Sequence, residues 1–257
     1  MSPDELFSLQ GRVAVVTGAG SGLGREIAQV YAEAGASVVC ADLDPLSAER
    51  TAALITTAGG TARPAACDVT DAVQVAAVIG EAVTELGRLD VLVNNAGITD
   101  RSRARAHELD LAAWHRVIDV NLHGVLHCTR EALAVMVAQG SGKIVNVASM
   151  WGMVGAGLFP LPAYTASKGA VVNLTRELAL EYATQGIQVN ALCPGFFRTN
   201  LGPHHDPAYV SALTGHTPMG RVAEAAEIRG PALFLASAAS DYMTGQLLVV
   251  DGGCTAR

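Results

Sequence analysis

The sequence predicts an α/β fold: one domain over residues 1–257, built on a doubly wound parallel sheet of about seven strands with helices on both faces. Two observations support this. Short apolar runs rich in β-branched residues alternate with helical patterns along the whole chain, as in parallel sheets that are covered on both sides. Half of the 257 residues are hydrophobic and only 16% are charged, which is enough apolar material for one large core. No repeat, linker or low-complexity tract divides the chain.

The first alternation contains a glycine-rich turn. Residues 12–17 predict a strand, residues 18–24 form the turn, and residues 23–34 predict a helix. A second strand, residues 37–41, ends at Asp42. Glycines let the backbone approach a pyrophosphate, and a helix N-terminus attracts its charge. A glycine cluster alone often binds nothing, but an acidic residue at this distance is typical of a Rossmann-type dinucleotide site.

The alternation of strands and helices continues toward the C-terminus. Further strands are predicted at residues 62–67, 89–93, 143–149, 187–193 and 246–250. Further helices are predicted at residues 45–58, 71–86, 110 to about 138, 164–184 and 224–237. Residues 200–217 predict irregular structure, since they contain two prolines and three histidines. The loop after the fourth strand is rich in arginine, at Arg101, Arg103 and Arg105.

Composition excludes several classes of function. The net charge of −7 argues against nucleic acid or an anionic membrane as a partner. No apolar run approaches the roughly 18 residues of a membrane span, and residues 1–11 are unlike a secretory leader. The scattered cysteines indicate free thiols in a cytoplasmic protein, and no metal site is predicted. They are Cys40, Cys67, Cys128, Cys193 and Cys254.

Tyr164 and Lys168 are the first candidates for chemistry. Four residues apart on a predicted helix, they lie on one face about one turn from each other. A free phenol has a pKa near 10, so a neutral solution contains little phenolate. We expect the ammonium to lower the pKa of Tyr164 toward the range of a general acid–base catalyst. Taken alone, the pair is more often a surface tyrosine beside a solvated lysine.

The order of motifs decides between these interpretations. The glycine turn reads Thr17-Gly18-x-x-x-Gly22-x-Gly24, and Lys168 follows Tyr164 after three residues. Between and after them lie Asp68-Val69, Asn94-Asn95-Ala96-Gly97, Asn121, Ser149, Pro194-Gly195 and Thr199. This order resembles the short-chain dehydrogenase/reductase family in its classical form. The resemblance extends from Gly11 to Gly253.

The resemblance implies four catalytic residues. Ser149 would orient the substrate oxygen through a hydrogen bond. Tyr164 would take the alcohol proton as hydride leaves, or return one during reduction. Lys168 would stabilise the phenolate and hold the nicotinamide ribose, and Asn121 would hold a water that links the lysine to solvent. The hydride chemistry itself belongs to the nicotinamide cofactor.

The resemblance also implies the cofactor site. Its contacts would be Gly18, Ser21, Gly22, Leu23, Gly24, Asp42, Leu43, Asp68, Val69, Asn95, Ala96, Gly97, Pro194, Gly195, Phe197 and Thr199, together with Tyr164 and Lys168. Asp42 predicts NAD, because a carboxylate binds ribose hydroxyls but repels a 2′-phosphate. Relatives that prefer NADP usually carry a basic residue where this chain has Ser21 or Leu43.

Two segments should determine the substrate. Residues 150–163 make the spacing from Ser149 to Tyr164 wider than the family usually shows, and their apolar side chains should wall the pocket. Residues 200–219 take the place of the family's mobile lid. The histidines of that lid could contact substrate and the arginines near residue 101 could attract an anion, although side chains of both kinds in loops are more often simply solvated.

Three functions fit the sequence. The first is an NAD-dependent dehydrogenase of a secondary alcohol, such as a sugar, polyol, hydroxysteroid, hydroxy acid or simple carbinol. The second is a 3-oxoacyl-carrier-protein reductase, which Asp42 and the uncharged positions 139–142 and Leu180 disfavour. The third is a non-catalytic NAD-binding scaffold, which the presence of Ser149, Tyr164 and Lys168 disfavours. The resemblance also implies a homotetramer.

Overall fold

A computed structural model of the protein describes residues 2–100 and 104–256. Its strands are β1 (Val13–Thr17), β2 (Ser37–Asp42), β3 (Thr61–Ala66), β4 (Val91–Asn94), β5 (Gly142–Val147), β6 (Ile187–Pro194), β7 (Phe197–Arg198), β8 (Ala223–Glu224) and β9 (Leu247–Val250). Seven of them form one parallel sheet in the order β3-β2-β1-β4-β5-β6-β9, and β7 pairs with β8 separately. The predicted α/β class and the seven-stranded parallel sheet are therefore confirmed.

The helices lie between these strands. They are α1 (Pro3–Phe7), α2 (Gly22–Glu33), α3 (Pro45–Thr57), α4 (Ala72–Leu86), α5 (Leu111–Ile118), α6 (Gly124–Gln139), α7 (Pro162–Tyr182), α8 (Pro207–His216) and α9 (Arg229–Ala236). Short 3₁₀ turns stand at Ala106–Glu108, Met150–Gly152, Ala183–Gln185, Ala225–Ile228 and Ala238–Ser240.

The sheet separates two apolar cores, and β1 shows how. Successive side chains of a strand point to opposite faces, so Ala14 and Val16 pack with α2 and α9 while Val15 packs with α4 and α6. All five residues of β1 are buried, which is why its sequence is a continuous apolar run rather than an alternating one.

The strand order also fixes where a ligand crevice opens. The central strand β1 pairs with β2 on one side and with β4 on the other, so the connections from β1 and β4 leave the sheet toward opposite faces. In open α/β sheets this switch point leaves a crevice beyond the carboxyl ends of the strands. Thr17 and Asn94 end the two strands that flank it.

Two sequence expectations need correction. Residues 200–217 are not irregular throughout, because they contain α8. Its start is well specified: the Asp206 side chain accepts a hydrogen bond from the Ala208 N–H at 2.9 Å, and Pro207 occupies the first turn. The helix predicted from residue 110 to about 138 is also interrupted, since Asp119–His123 form a π-helical turn between α5 and α6.

Candidate active site

The glycine turn lies at the carboxyl end of β1 and leads into α2. Gly18 and Gly22 have φ values of +64° and +53°, a region that side chains disfavour. A Cβ on Gly24 would stand 2.2 Å from the Gly18 carbonyl oxygen, which no side chain could tolerate. The predicted positions Ser21 and Leu23 lie in the same turn, at the N-terminus of α2. The result is a bare backbone cradle of the kind that accepts a pyrophosphate.

Asp42 lies at the edge of this cradle. Its Oδ2 atom accepts a hydrogen bond from the Gly20 N–H at 2.8 Å, and its Oδ1 atom accepts one from the Asp44 N–H at 3.0 Å. Among the described residues it forms no ion pair, and its neighbour Leu43 is 64% exposed. The carboxylate therefore borders the turn and is held there by two backbone N–H groups.

Asn95 ties the turn to β4. Its Nδ2 atom donates to the carbonyl oxygens of Thr17 at 2.9 Å and Gly18 at 3.1 Å. The backbone N–H groups of Asn95 and Ala96 both donate to the Thr17 hydroxyl, at 3.0 and 3.1 Å. The sequence predicted Asn95 as a cofactor contact. In the structure its side chain holds the backbone of the glycine turn through the Thr17 and Gly18 carbonyls.

Asp68 and Val69 lie across the crevice, after β3. The Asp68 carboxylate accepts hydrogen bonds from both the backbone and the hydroxyl of Thr70, at 2.9 and 2.7 Å. Val69 is buried, and the space at Gly124 is closed to a Cβ because the Val69 side chain would be 2.6 Å away. Val69 therefore packs closely against the first residue of α6.

Asn121 occupies the π-helical turn and is fully buried. Its Oδ1 atom accepts from the Ile98 N–H and its Nδ2 atom donates to the Ile98 carbonyl, each at 2.9 Å. Nδ2 also donates to the Ser167 hydroxyl at 3.1 Å. Both N–H groups of the amide are thus used, whereas Oδ1 accepts one bond and has a second lone pair for another donor. π-Turns occur frequently at functional sites.

Ser149, Tyr164 and Lys168 come together at the carboxyl ends of β5 and β6. The Ser149 hydroxyl accepts from the Trp151 N–H at 3.1 Å, and the Lys168 Nζ donates to the Val147 carbonyl at 2.7 Å. Nζ lies 5.8 Å from the centroid of the Tyr164 ring. Lys168 is only 4% exposed. The alternative interpretation, a surface tyrosine beside a solvated lysine, therefore does not apply.

Burial controls the protonation of this pair. It raises the pKa of Tyr164, and a hydrogen bond with the Ser149 side chain acts in the opposite direction. It also lowers the pKa of Lys168 to about 8. The expectation that the lysine would lower the pKa of Tyr164 is therefore wrong. The reason is that desolvation outweighs the other influences on the phenol.

The residues after β6 reach back to the glycine turn. Gly195 donates from its N–H to the Val250 carbonyl at 2.9 Å, and a Cβ there would meet Asp251 at 2.6 Å. A Cβ on Gly22 would lie 3.2 Å from the Thr199 side chain, so the two predicted ends of the cofactor site face each other. Pro194 ends β6 beside them. The Phe197 side chain, by contrast, is buried in the core of the α2 face.

The two predicted substrate segments are joined by aromatic rings. Phe159 stacks on Tyr209 of α8, with centroids 5.6 Å apart and planes 22° apart. Trp151 lies 5.7 Å from the ring of His216. Tyr209 and His216 are seven residues apart, hence on one face of α8. This face covers the loop that connects Ser149 to Tyr164.

Three site features were not found from the sequence. Tyr209 contributes to raising the pKa of Tyr164, because two negative charges there would repel each other. Asp100 accepts a hydrogen bond from the Tyr164 N–H at 2.9 Å. A groove of about 330 Å³ opens between Arg105 and the apolar side chains of residues 156–162. Of these features, only Tyr209 could have been found from the sequence, because the helix start at Asp206-Pro207 determines which face of α8 carries it. The predicted residues Arg101 and Arg103 lie outside the described residues.

Within residues 2–100 and 104–256, no helix is long and apolar enough to cross a membrane, and no cluster of His, Cys, Asp or Glu is arranged to bind a metal ion. All five cysteines are buried. The cytoplasmic location that their pattern suggested stays a prediction.

Known proteins resemble this chain over nearly its full length. The family model described as enoyl-(acyl carrier protein) reductase matches residues 18–255. Cis-4-hydroxycyclohexanecarboxylate dehydrogenase of Sinomonas cyclohexanicum is 45% identical, over 95% of this chain and 97% of its own. Galactitol 2-dehydrogenase (L-tagatose-forming) of Cereibacter sphaeroides is 42% identical, over 97% of each chain.

A solved structure gives the same result for the fold. The gluconate 5-dehydrogenase of Burkholderia cenocepacia J2315, in complex with NADP and tartrate, is 39% identical and superposes with a TM-score of 0.94 over 100% of both chains. Together with the motif order and the site geometry, these similarities identify the chain as a member of the short-chain dehydrogenase/reductase family.

Proposed function

We propose that the protein is an NAD-dependent oxidoreductase that interconverts a secondary alcohol and its ketone by hydride transfer, with Tyr164 as the general acid–base. The observation that carries the proposal is the position of Ser149, Tyr164 and Lys168 at one end of the sheet that also holds the glycine cradle. The relatives reported above, all named as dehydrogenases of hydroxylated small molecules, support it.

The chain's own residues would divide the work. The Ser149 hydroxyl donates to the substrate oxygen and fixes its position. The Tyr164 hydroxyl takes the proton of the alcohol during oxidation and returns it during reduction. The Lys168 ammonium provides positive charge beside the phenol and a donor for ribose hydroxyls. The bound nicotinamide supplies the hydride acceptor or donor.

We assign the cofactor as NAD because of Asp42. Its carboxylate borders the turn without a cation partner among the described residues, so a 2′-phosphate would be repelled there. Arg25 lies near the turn, but its guanidinium donates to the Gly20 carbonyl and to the Thr51 hydroxyl. The Burkholderia relative was solved with NADP, so the two cofactors are the ones to compare. The test is the ratio of kcat/KM for the two cofactors, and a higher value for NADP would overturn the assignment.

We infer that the alcohol belongs to a polar ring or chain, such as a polyol or hydroxy acid. Two of the relatives reported above are named for a hydroxycyclohexanecarboxylate and for gluconate, and both names denote carboxylates. The groove beside Arg105 offers one cation among apolar walls, which suits such a molecule. A screen for NADH production over polyols, aldonates, cyclic hydroxy acids, hydroxysteroids and simple carbinols tests this. Turnover confined to steroids or unsubstituted carbinols would contradict it.

A carrier-protein reductase is the second candidate, because the matching family model carries the description of an acyl-carrier-protein reductase. Such enzymes dock an acidic carrier and need basic residues beside the pocket. Here Leu180 on α7 is 79% exposed and uncharged, and the turn at residues 139–142 carries no cation. NADPH oxidation with a 3-oxoacyl thioester, compared with NADH production from the alcohol panel, separates the two candidates.

We propose a homotetramer as the working assembly. Apolar side chains are exposed on the helices that the family uses for contact: Leu126 and Val137 on α6 and Leu180 on α7. Strand β9 is an edge of the sheet, and Val249 on it is also exposed. Size-exclusion chromatography with light scattering tests the proposal, and a monomer at micromolar concentration would contradict it.

A further inference from the structure

Helix α7, which carries Tyr164, begins without a cap of its own. Its N-cap residue, Leu161, has no side-chain acceptor, and Pro162 follows it. The first N–H groups of a helix lack intrahelical partners and need an acceptor from elsewhere. For Tyr164 that acceptor is Oδ2 of Asp100, 64 residues earlier in the chain, at 2.9 Å.

Asp100 ends a segment, residues 94–100, that is anchored to several parts of the site. Asn95 holds the glycine turn through the Thr17 and Gly18 carbonyls. Ile98 is paired through both its N–H and its carbonyl with the Asn121 amide. Asp100 then reaches the first turn of α7. The segment therefore links the glycine cradle, the π-turn and Tyr164 through a continuous series of hydrogen bonds.

The burial of Asp100 shows that it differs from an ordinary helix cap. It is 5% exposed, and its second oxygen, Oδ1, is buried with no hydrogen-bond partner in the described part of the chain. An unpartnered buried oxygen is destabilising, and natural proteins keep few of them. Asp110 caps α5 through the same kind of bond, to the Ala112 N–H at 3.1 Å, while its side chain remains in solvent. Among the described residues, Asp100 thus differs from the Asp110 cap in its burial and in its unpaired second oxygen.

We propose that Asp100 is a positioning residue for Tyr164: it fixes the first turn of α7 against residues 94–100, so that the phenol faces the Ser149 hydroxyl when cofactor and substrate are bound. It acts through the Tyr164 backbone and does not touch the reacting atoms. The proposal rests on the proposed function, in which Tyr164 transfers the proton.

Four proteins test this: wild type, Asp100→Ala, Asp100→Asn and the matched cap variant Asp110→Ala. A misplacement of about 1 Å can cost about 100-fold in rate, so we expect Asp100→Ala to lower kcat by roughly 10- to 100-fold. The dissociation constant of NADH should stay at the wild-type value. Asp100→Asn keeps an acceptor for the Tyr164 N–H and should restore most of kcat. Asp110→Ala should lose thermal stability but keep kcat.

Amide hydrogen exchange gives a readout that does not depend on activity. We expect faster exchange in the first turn of α7 in Asp100→Ala, and in α5 alone in Asp110→Ala. A wild-type kcat in Asp100→Ala, or unchanged exchange in α7, would overturn the proposal. So would a parallel loss of kcat and NADH affinity, since that indicates general damage. A different outcome would refute the proposed function itself: the wild type oxidises no alcohol, yet exchange in α7 is faster in Asp100→Ala. Asp100 would then stabilise the start of α7 without positioning a catalytic group, and the positioning proposal would fail with the function.

Discussion

The Lys168 ammonium lies 5.8 Å from the centroid of the Tyr164 ring, yet its 2.7 Å hydrogen bond goes to the Val147 carbonyl. The lysine is thus held by β5 rather than by the tyrosine. Burial raises the pKa of the neighbouring Cys193 to about 11, so this thiol is uncharged at neutral pH and provides no counter-ion. No anion pairs with Lys168 in the part of the chain that the structure describes, and a buried cation without such a partner is costly. This cost lies directly beside the proposed acid–base group.

The first prediction concerns pH and stability. The pKa of Lys168 is about 8 in the folded protein, against a reference value of 10.5. Between these values the unfolded chain binds a proton that the folded chain has released, so the contribution of Lys168 to stability rises with pH. The rise should be on the order of 3 kcal/mol. This gain in stability is complete above the pKa of the unfolded chain, and it is lost as the pH falls through the folded pKa of about 8.

The measurement is denaturant unfolding of wild type and Lys168→Met between pH 7 and pH 10.5. The difference between the two proteins isolates the lysine, because the thiols and other groups titrate in both. The wild type should gain stability relative to the variant as pH rises. Parallel profiles would show that Lys168 titrates normally.

The second prediction compares two glycines in helices. A Cβ on Gly24 would lie 2.2 Å from the Gly18 carbonyl, whereas a Cβ on Gly80 in α4 has no atom within 4 Å. Gly24→Ala should therefore lower the free energy of unfolding by on the order of 2 kcal/mol and weaken NADH binding. Gly80→Ala should raise it by about 0.5–1 kcal/mol. Thermal unfolding with and without NADH measures both, and equal effects of the two variants would refute the cradle geometry.

The third prediction concerns cofactor choice. Asp42→Asn removes the charge beside the turn but keeps one acceptor for the Gly20 or Asp44 N–H. We expect kcat/KM for NADP to rise relative to that for NAD by about tenfold or more. Asp44→Asn is the control, since Asp44 caps α3 next to the same turn. If both variants shift the ratio equally, general charge rather than Asp42 determines the preference.

The fourth prediction concerns the aromatic contact between the two substrate segments. Tyr209→Leu removes the ring that stacks on Phe159, so α8 should cover the loop less firmly. We expect the KM for the alcohol to rise several-fold while the KM for NAD stays unchanged. Tyr209→Phe is the control: it keeps the stacked ring and removes only the hydroxyl, so it shows which of the two matters. An unchanged alcohol KM in Tyr209→Leu would exclude a role for this contact in binding.

The sequence was sufficient for the sheet, the glycine turn and the Tyr164–Lys168 pair, because these depend on local patterns. The place of Ser149 beside that pair came from the family resemblance. Short continuous apolar runs that alternate with helical patterns specify the strands. Glycines at the tight positions of the turn specify its backbone path. It was not sufficient for Asp100 or for the role of Asn95 behind the cradle. Both act through contacts between residues far apart in the chain, which local periodicity does not encode.

Protonation and the lid show the same limit. Helical spacing placed Lys168 beside Tyr164, but the direction of the pKa change depends on burial, which the spacing does not reveal. Two prolines suggested an irregular lid, although Pro207 starts α8. A proline after an aspartate is a helix-start signal as well as a breaker signal, and only the structure decided between them.

Hydride transfer with Tyr164 as the proton carrier is the central claim, and transfer of a label tests it most directly. An alcohol from the screen, deuterated at the carbinol carbon, is incubated with NAD and either wild type or Tyr164→Phe. We predict deuterated NADH from the wild type and almost none from the variant, while the variant still binds NADH with wild-type affinity. Substantial deuterated NADH from Tyr164→Phe, or unlabelled NADH from the wild type, would contradict the claim.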